Sequence, residues 1–242
     1  METKKQSVFK CPGRGVGALT TNSSRGIFAF SEQKLNPPIF VYSYPKLQLN
    51  SQLKGDGIYL DYTCVTLSND GPYLAAVSFL PDHCITVWNW ETAELICAQP
   101  NAGKDIVSLV FNPLNWLQLC ALGTTSLTVW NIEKSASFHV LKSSDGNICD
   151  GKIQTRDFFT QTSIKARLLT PSAICWTASS ELYVGCEEGF LFLVDPDSLS
   201  VSLLYNPKCK SLTYSIFASE LQIFPCSLLA HFSFLFSCRC KP

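Results

Sequence analysis

ITVWNW (Ile85–Trp90) and LTVWNI (Leu127–Ile132) are nearly the same phrase written twice, 42 residues apart. Looser copies stand on either side: IFVYSY (Ile39–Tyr44) begins 46 residues before the first, and LFLVDP (Leu191–Pro196) begins 64 after the second. Each copy alternates side chains as a strand does when its two faces meet different surroundings. Two copies end on Trp-Asn, at Trp88–Asn89 and Trp130–Asn131. A short strand with an aromatic-polar ending, recurring at about 40–45 residues, is the signature of a propeller blade. The fold class is therefore all-β, a β-propeller with about four recognisable blades that form an incomplete ring.

Working outward from Ile85, residues Thr63–Ser68 read as a first strand and Asn69-Asp70-Gly71-Pro72 as a turn. Tyr73–Leu80, Cys84–Trp90 and Ala93–Ala98 supply three more strands, and four short antiparallel strands make one blade. The same plan sets blades at residues 13–54, 61–99, 104–142 and 171–206, within a blade region of 13–212. Residues 143–170 are an insertion between the third and fourth blades, on a loop that can carry recognition or be a passive hairpin. Residues 1–12 form an N-terminal segment in which Ser7–Cys11 reads as a strand of a preceding blade.

After residue 212 the pattern stops, and 213–242 is an apolar tail. Leu221–Cys238 runs eighteen residues without a formal charge, the length of a minimal membrane span. It is interrupted by Pro225, Gln222 and His231, so a terminus unrelated to the blades is the favoured reading, with a buried strand pair or a membrane segment as alternatives. An open arc is also expected to leave unpaired strand edges at its ends, which invite association.

Composition narrows the function. With 242 residues, 46% of them hydrophobic, the chain can bury a sizeable core. Lysine plus arginine and aspartate plus glutamate number 19 each, and no basic run marks a phosphate-tracking groove, so nucleic acid is not an expected partner. The N-terminus METKKQSVFK lacks the apolar core of a signal peptide, and the twelve cysteines are scattered through apolar strand-like runs. They read as reduced, buried thiols of a cytoplasmic chain rather than a disulfide framework.

No constellation in the chain marks a catalytic centre. Trp88 and Trp130, with Tyr42 at the same place in the first repeat, read as blade-packing aromatics rather than binding residues. Gly13-Arg14-Gly15-Val16-Gly17 opens a strand, so it is not a dinucleotide fingerprint. Cys238-Arg239-Cys240 lacks two further ligands at finger-like spacing. His83, His139 and His231 stand apart in sequence, His83 as an exposed turn residue, and no nucleophile elbow is present. The expectation is a non-enzyme with no catalytic residue, cofactor or metal.

From about Gly13 to Tyr205 the chain resembles the WD-repeat family, and in its wording the WD-repeat cilia- and flagella-associated proteins. The phrases that carry this are GVGAL (Gly15–Leu19), NPPIFVYSYPKL (Asn36–Leu47), SNDGPYLA (Ser68–Ala75), VWNWE (Val87–Glu91), FNPLNWLQLC (Phe111–Cys120) and LTVWNIE (Leu127–Glu133). The chain departs in lacking a heptad region and the glycine-histidine dipeptide common in WD repeats. The resemblance implies a scaffold in the axoneme of the motile cilium or sperm flagellum, within the cytoskeleton, contributing to axoneme organisation and motility. Its implied partners are other axonemal proteins, dynein-arm and doublet-microtubule components among them, with no membrane. The alternatives are an adaptor in another cytoplasmic complex or a propeller-bodied enzyme.

Overall fold

A computed structural model describes residues 8–11, 15–55, 57, 60–124, 126–135, 138–143, 152–154, 170–198 and 200–205. The first blade is β1 (Val16–Asn22), β2 (Ile27–Glu32), β3 (Ile39–Ser43) and β4 (Gln48–Leu53). The second is β5 (Tyr62–Leu67), β6 (Tyr73–Ser78), β7 (Ile85–Asn89) and β8 (Glu94–Gln99). The third is β9 (Ile106–Asn112), β10 (Asn115–Gly123), β11 (Ser126–Ser135) and β12 (Phe138–Ser143), with a short β13 (Lys152–Gln154). The fourth is β14 (Pro171–Trp176), β15 (Leu182–Cys186), β16 (Leu191–Val194) and β17 (Val201–Tyr205). Within each sheet the strands pair antiparallel in chain order, the meander that defines a blade.

Turn chemistry closes the hairpins. Ser68 N–H donates to the Tyr73 carbonyl at 2.9 Å and its hydroxyl to the Gly71 carbonyl at 3.0 Å, around the Asn69–Pro72 turn. Gly71 holds φ +74°, a conformation that a side chain would strain. Asn89 Oδ1, at the end of β7, accepts from the backbone N–H groups of Glu91 and Thr92 at 3.0 and 3.3 Å. Asp195 does the same in the fourth blade, accepting from Asp197 N–H at 3.1 Å and from the Ser198 hydroxyl at 2.5 Å. These short polar side chains replace the backbone partners that the chain loses as it reverses.

A bulge recurs near the start of the first strand. The register slips between Tyr62 and Cys64 in β5 and between Pro171 and Ala173 in β14. The skipped residues, Thr63 and Ser172, each turn a hydroxyl onto the carbonyl of the neighbouring strand, at Val77 and Gly185. A second bulge sits opposite the repeated aromatic, between Val41 and Tyr42 and again between Val87 and Trp88. Bulges sharpen the local twist, which is what lets flat sheets splay around an axis.

The four sheets stack side by side in chain order. β1 runs beside β5, β5 beside β9 and β9 beside β14, so the first strands line one rim of the stack, and β8 meets β12 on the other. Three apolar clusters fill the gaps, one between each consecutive pair of blades. The core is therefore not central but distributed between sheets. Among the described residues no extensive packing joins the fourth blade to the first.

Two expectations are corrected. Residues 8–11 form no strand; instead Phe9 packs edge-on against Tyr42, with ring centroids 4.8 Å apart. Within the 143–170 insertion, β13 pairs with β11 over Ser126–Thr128, the part of that edge that β12 leaves open. The ends of the stack present sheet faces, not strand edges, because the edges of each blade point along the two rims. The remainder of the insertion, the tail 213–242, Cys238, Cys240 and His231 lie outside the described residues.

Candidate interaction surface

Each blade has one face toward its predecessor and one toward its successor, and cross-strand pairing assigns every residue to one of them. In the second blade, Leu74 pairs with Trp88 and Ala76 with Thr86, and Leu74, Ala76 and Trp88 belong to the cluster shared with the first blade. In the third, Leu119 pairs with Trp130 and Ala121 with Thr128; Leu119, Ala121 and Trp130 join the cluster shared with the second. Leu-Ala-Thr-Trp is thus a repeated quartet. Two small residues let the sheets approach, and one indole fills the space at the end.

The structure places Trp88 at 1% exposure, edge-on to Tyr62 at 6.2 Å, and Trp130 at 8%. Burying an indole removes roughly 200 Å² of surface, worth on the order of 5 kcal/mol at about 25 cal/mol/Å². The indole N–H groups of Trp88, Trp130 and Trp176 are buried without a hydrogen-bond partner among the described residues. Area, not hydrogen bonding, is what these side chains contribute.

Tyr42 occupies the equivalent place in the first blade but not the equivalent environment. The quartet there is Phe28, Phe30, Phe40 and Tyr42, on the face turned away from the second blade. Tyr42 stacks on Phe28 at 5.6 Å and on Phe30 at 5.9 Å, and Phe9 caps the group. It is half-buried, packed within its own sheet rather than between two described blades. Leu19 and Leu49, on the margin of the same face, are exposed. The outcome is an aromatic cluster on the outer face of the first blade, with Phe30 and Phe40 buried and Phe28 and Tyr42 half-buried.

Polar clasps that the sequence did not announce hold neighbouring blades in register. Asn22 is buried, donates from Nδ2 to the Ser68 carbonyl of the second blade at 2.9 Å, and accepts from the Ser24 hydroxyl at 2.7 Å. Between the third and fourth blades, the Ser180 hydroxyl donates to Asn112 Oδ1 at 2.7 Å while Asn112 Nδ2 donates to Gln118 Oε1 at 2.8 Å. The partners lie up to 68 residues apart in sequence. Arg25 adds an exposed ion pair with Glu91 at 3.6 Å, worth little in water.

The remaining candidates offer no chemistry of their own. His83 is buried rather than exposed, with φ +45°, and lies edge-on to Phe79 at 5.6 Å. The ring packs against Phe79 where the β6–β7 loop folds back, a contact invisible in sequence. It lines a cavity of about 170 Å³ with Phe79, Lys104, Asp105 and Thr124, smaller than the ~300 Å³ at which ligand pockets begin. Burial pushes the Cys84 thiol up to about 11 and the Cys97 and Cys186 thiols up to about 12, and raises Cys120 as well. Such thiols are inert packing groups. Among the described residues no group of three metal-ligating side chains gathers, and no helix is long and apolar enough to cross a membrane.

Comparison with known proteins sets this surface in context. No protein-family model matches the chain. The chain is homologous to the WD-repeat cilia- and flagella-associated proteins. It is 34% identical to cilia- and flagella-associated protein 43 of Mus musculus over 238 residues, covering 84% of this chain and 14% of that protein. It is 32% identical to cilia- and flagella-associated protein 44 of the same species over 145 residues, covering 60% of this chain and 8% of that protein. The chain thus spans a small part of the length of the relatives it matches. Among solved structures it resembles the Cps50 (Swd1) β-propeller domain of Myceliophteria thermophila, with TM-score 0.54 and 15% identity, over 81% of this chain and 55% of that one. That likeness shows the fold, a WD-type β-propeller.

Proposed function

With homology to WD-repeat ciliary proteins as its premise, we propose that this chain is a non-catalytic protein-interaction scaffold of the motile cilium or sperm flagellum. It acts on the axoneme, in the cytoskeleton, by holding other axonemal proteins, dynein-arm and doublet-microtubule components among them. The observation that carries this reading is the 84% of the chain aligned with a cilia- and flagella-associated protein. The physics supports this reading: among the described residues, a stack of sheets with buried, proton-retaining thiols and a buried histidine offers broad surfaces for partners. Its contribution to motility is positional, fixing where partners sit.

The test is expression of the tagged chain in multiciliated or flagellated cells, with detergent-resistant axonemes isolated and probed. The reading expects the tag to remain with the axoneme and to co-purify with dynein-arm or doublet components after cross-linking. Release of all tag into the soluble cytoplasm, with partners from a non-ciliary complex, would move the assignment to a general WD-repeat adaptor.

A further inference from the structure

The cavity beside His83 lies where blades 2 and 3 meet, walled by segments from one end of their sheets. Phe79 and His83 come from the loop between β6 and β7, Lys104 and Asp105 from the segment between β8 and β9, and Thr124 from the turn between β10 and β11. At about 170 Å³ it is small for a free ligand and suited to one amino-acid side chain. Two groups around it lack partners. His83 is 8% exposed, yet its imidazole makes no hydrogen bond among the described residues, where buried polar groups ordinarily have one. Lys104 is exposed and forms no ion pair among the described residues, although Asp105 is its neighbour. The Asp105 carboxylate is engaged elsewhere: Oδ2 accepts from the Thr124 hydroxyl at 3.3 Å and lies over Gly123, where a Cβ would stand 2.5 Å from it. The surface around the mouth is apolar, with Phe79 44% and Val107 52% exposed, and Leu60 and Leu80 exposed beside them.

We propose that this cavity receives a glutamate side chain from a partner protein, with apolar residues on either side of that glutamate seated on Phe79 and Val107. Charge complementarity selects the occupant. The Lys104 ammonium only donates, and an imidazole has an N–H to donate in either protonation state, so both groups call for an acceptor. A carboxylate supplies it with charge-assisted bonds, whereas a neutral or basic side chain leaves Lys104 uncompensated. The two methylenes of a glutamate suit the apolar part of the wall, which Val77, Phe79 and Ile106 provide. This inference rests on the reading of the chain as a protein-binding scaffold, but not on the cilium as its place of action.

The experiment is fluorescence anisotropy on the full chain with two dye-labelled peptides, acetyl-Ala-Leu-Glu-Val-Ala-amide and its twin with glutamine in place of glutamate. The glutamate peptide is expected to bind about 10-fold more tightly than the twin, the worth of one charge-assisted contact. Lys104→Met and Val107→Asp, which sets a carboxylate at the mouth, are each expected to weaken the glutamate peptide about 10-fold. Lys104→Met is also expected to leave the glutamine twin unchanged. Both positions are exposed, so the fold tolerates the changes, and circular dichroism checks it. His83→Asn, a residue that accepts the positive φ of this position, is expected to weaken the glutamate peptide as well. Equal affinity for the two peptides overturns the proposal, as does an affinity that Lys104→Met does not alter. No saturable binding of the glutamate peptide up to the order of 1 mM overturns it too. Each of these results leaves the axonemal reading standing, and loss of the tag from axonemes leaves this site standing.

Discussion

Blades 1 and 2 put an aromatic at the same place, the fourth residue of the third strand, opposite the same bulge, and the two side chains meet different fates. Trp88 is sealed between sheets. Tyr42 lies on an outer face, covered in part by its neighbours on the sheet and by Phe9. The third strands and their bulges are alike, but Trp88 has the first blade across the gap, whereas among the described residues Tyr42 has its own sheet's Phe28 and Phe30 and the side chain of Phe9. Burial in a stacked fold is a property of neighbours, so a repeat cannot be read as a unit of stability until its position in the stack is known.

The sharpest break of this comparison is truncation of the two aromatics. Trp88→Ala is expected to cost about 3–5 kcal/mol, and Trp130→Ala a similar amount, as large cavities in sealed cores do. Tyr42→Ala is expected to cost only about 1–2 kcal/mol, because half its surface has less to lose. Urea unfolding followed by circular dichroism measures all three. Equal costs at Trp88 and Tyr42 would mean that the first blade's outer face is as well covered as an internal one.

Next in size is the clasp between the same two blades. Asn22→Ala removes the bond to the Ser68 carbonyl and is expected to destabilise by about 1–3 kcal/mol, since a buried acceptor loses its partner. The same unfolding experiment reads it, and an unchanged midpoint would show that the apolar cluster alone sets the register. Smaller still is Trp88→Phe, expected to cost below about 1.5 kcal/mol, because most of the area remains and no hydrogen bond is lost. A loss matching Trp88→Ala would show that the indole N–H has a partner after all.

The smallest effect separates blade 4 from blade 2 at the turn that follows the repeat. Asn89 is neutral, whereas the Asp195 carboxyl is held below its usual range by the Ser198 hydroxyl and then the Asp197 backbone N–H. A depressed folded pKa means that this contribution is present above the unfolded value of ~3.9 and is lost as pH falls through the lower folded one. Asp195→Asn is therefore expected to flatten slightly the decline of the urea midpoint in acid, measured from pH 5 downward. The group is largely exposed, so the change is small. An acid decline identical in slope to the wild type would remove the turn from the account.

Much of the strand order was legible because it rests on local signals. Alternation, turn residues such as Asn69–Pro72 and the recurring Trp-Asn place all four strands of a blade within a residue or two of where they lie. The errors fall where a residue's setting depends on distant chain. His83 reads as an exposed turn residue and is buried, because Phe79 and the loop around it close over the ring. Ser7–Cys11 reads as a strand of a preceding blade, yet residues 8–11 form no strand and Phe9 packs onto the aromatic face instead. Asn112 carries no local signal for its bond with Ser180, which crosses between blades.

What the amino-acid sequence determined by itself was the repeat: its period, its four strands, its turns, and hence the blade. These follow from steric and hydrogen-bonding preferences acting over a few residues, which the order of side chains records directly. What only the tertiary structure decided was which face of each blade is covered. The near-continuous apolar runs of the inner strands say that both faces are to be buried, but they carry no record of what lies across the gap. Sealing Trp88 while leaving Tyr42 half open comes from the stacking of whole sheets, an interaction between segments that share no local signal.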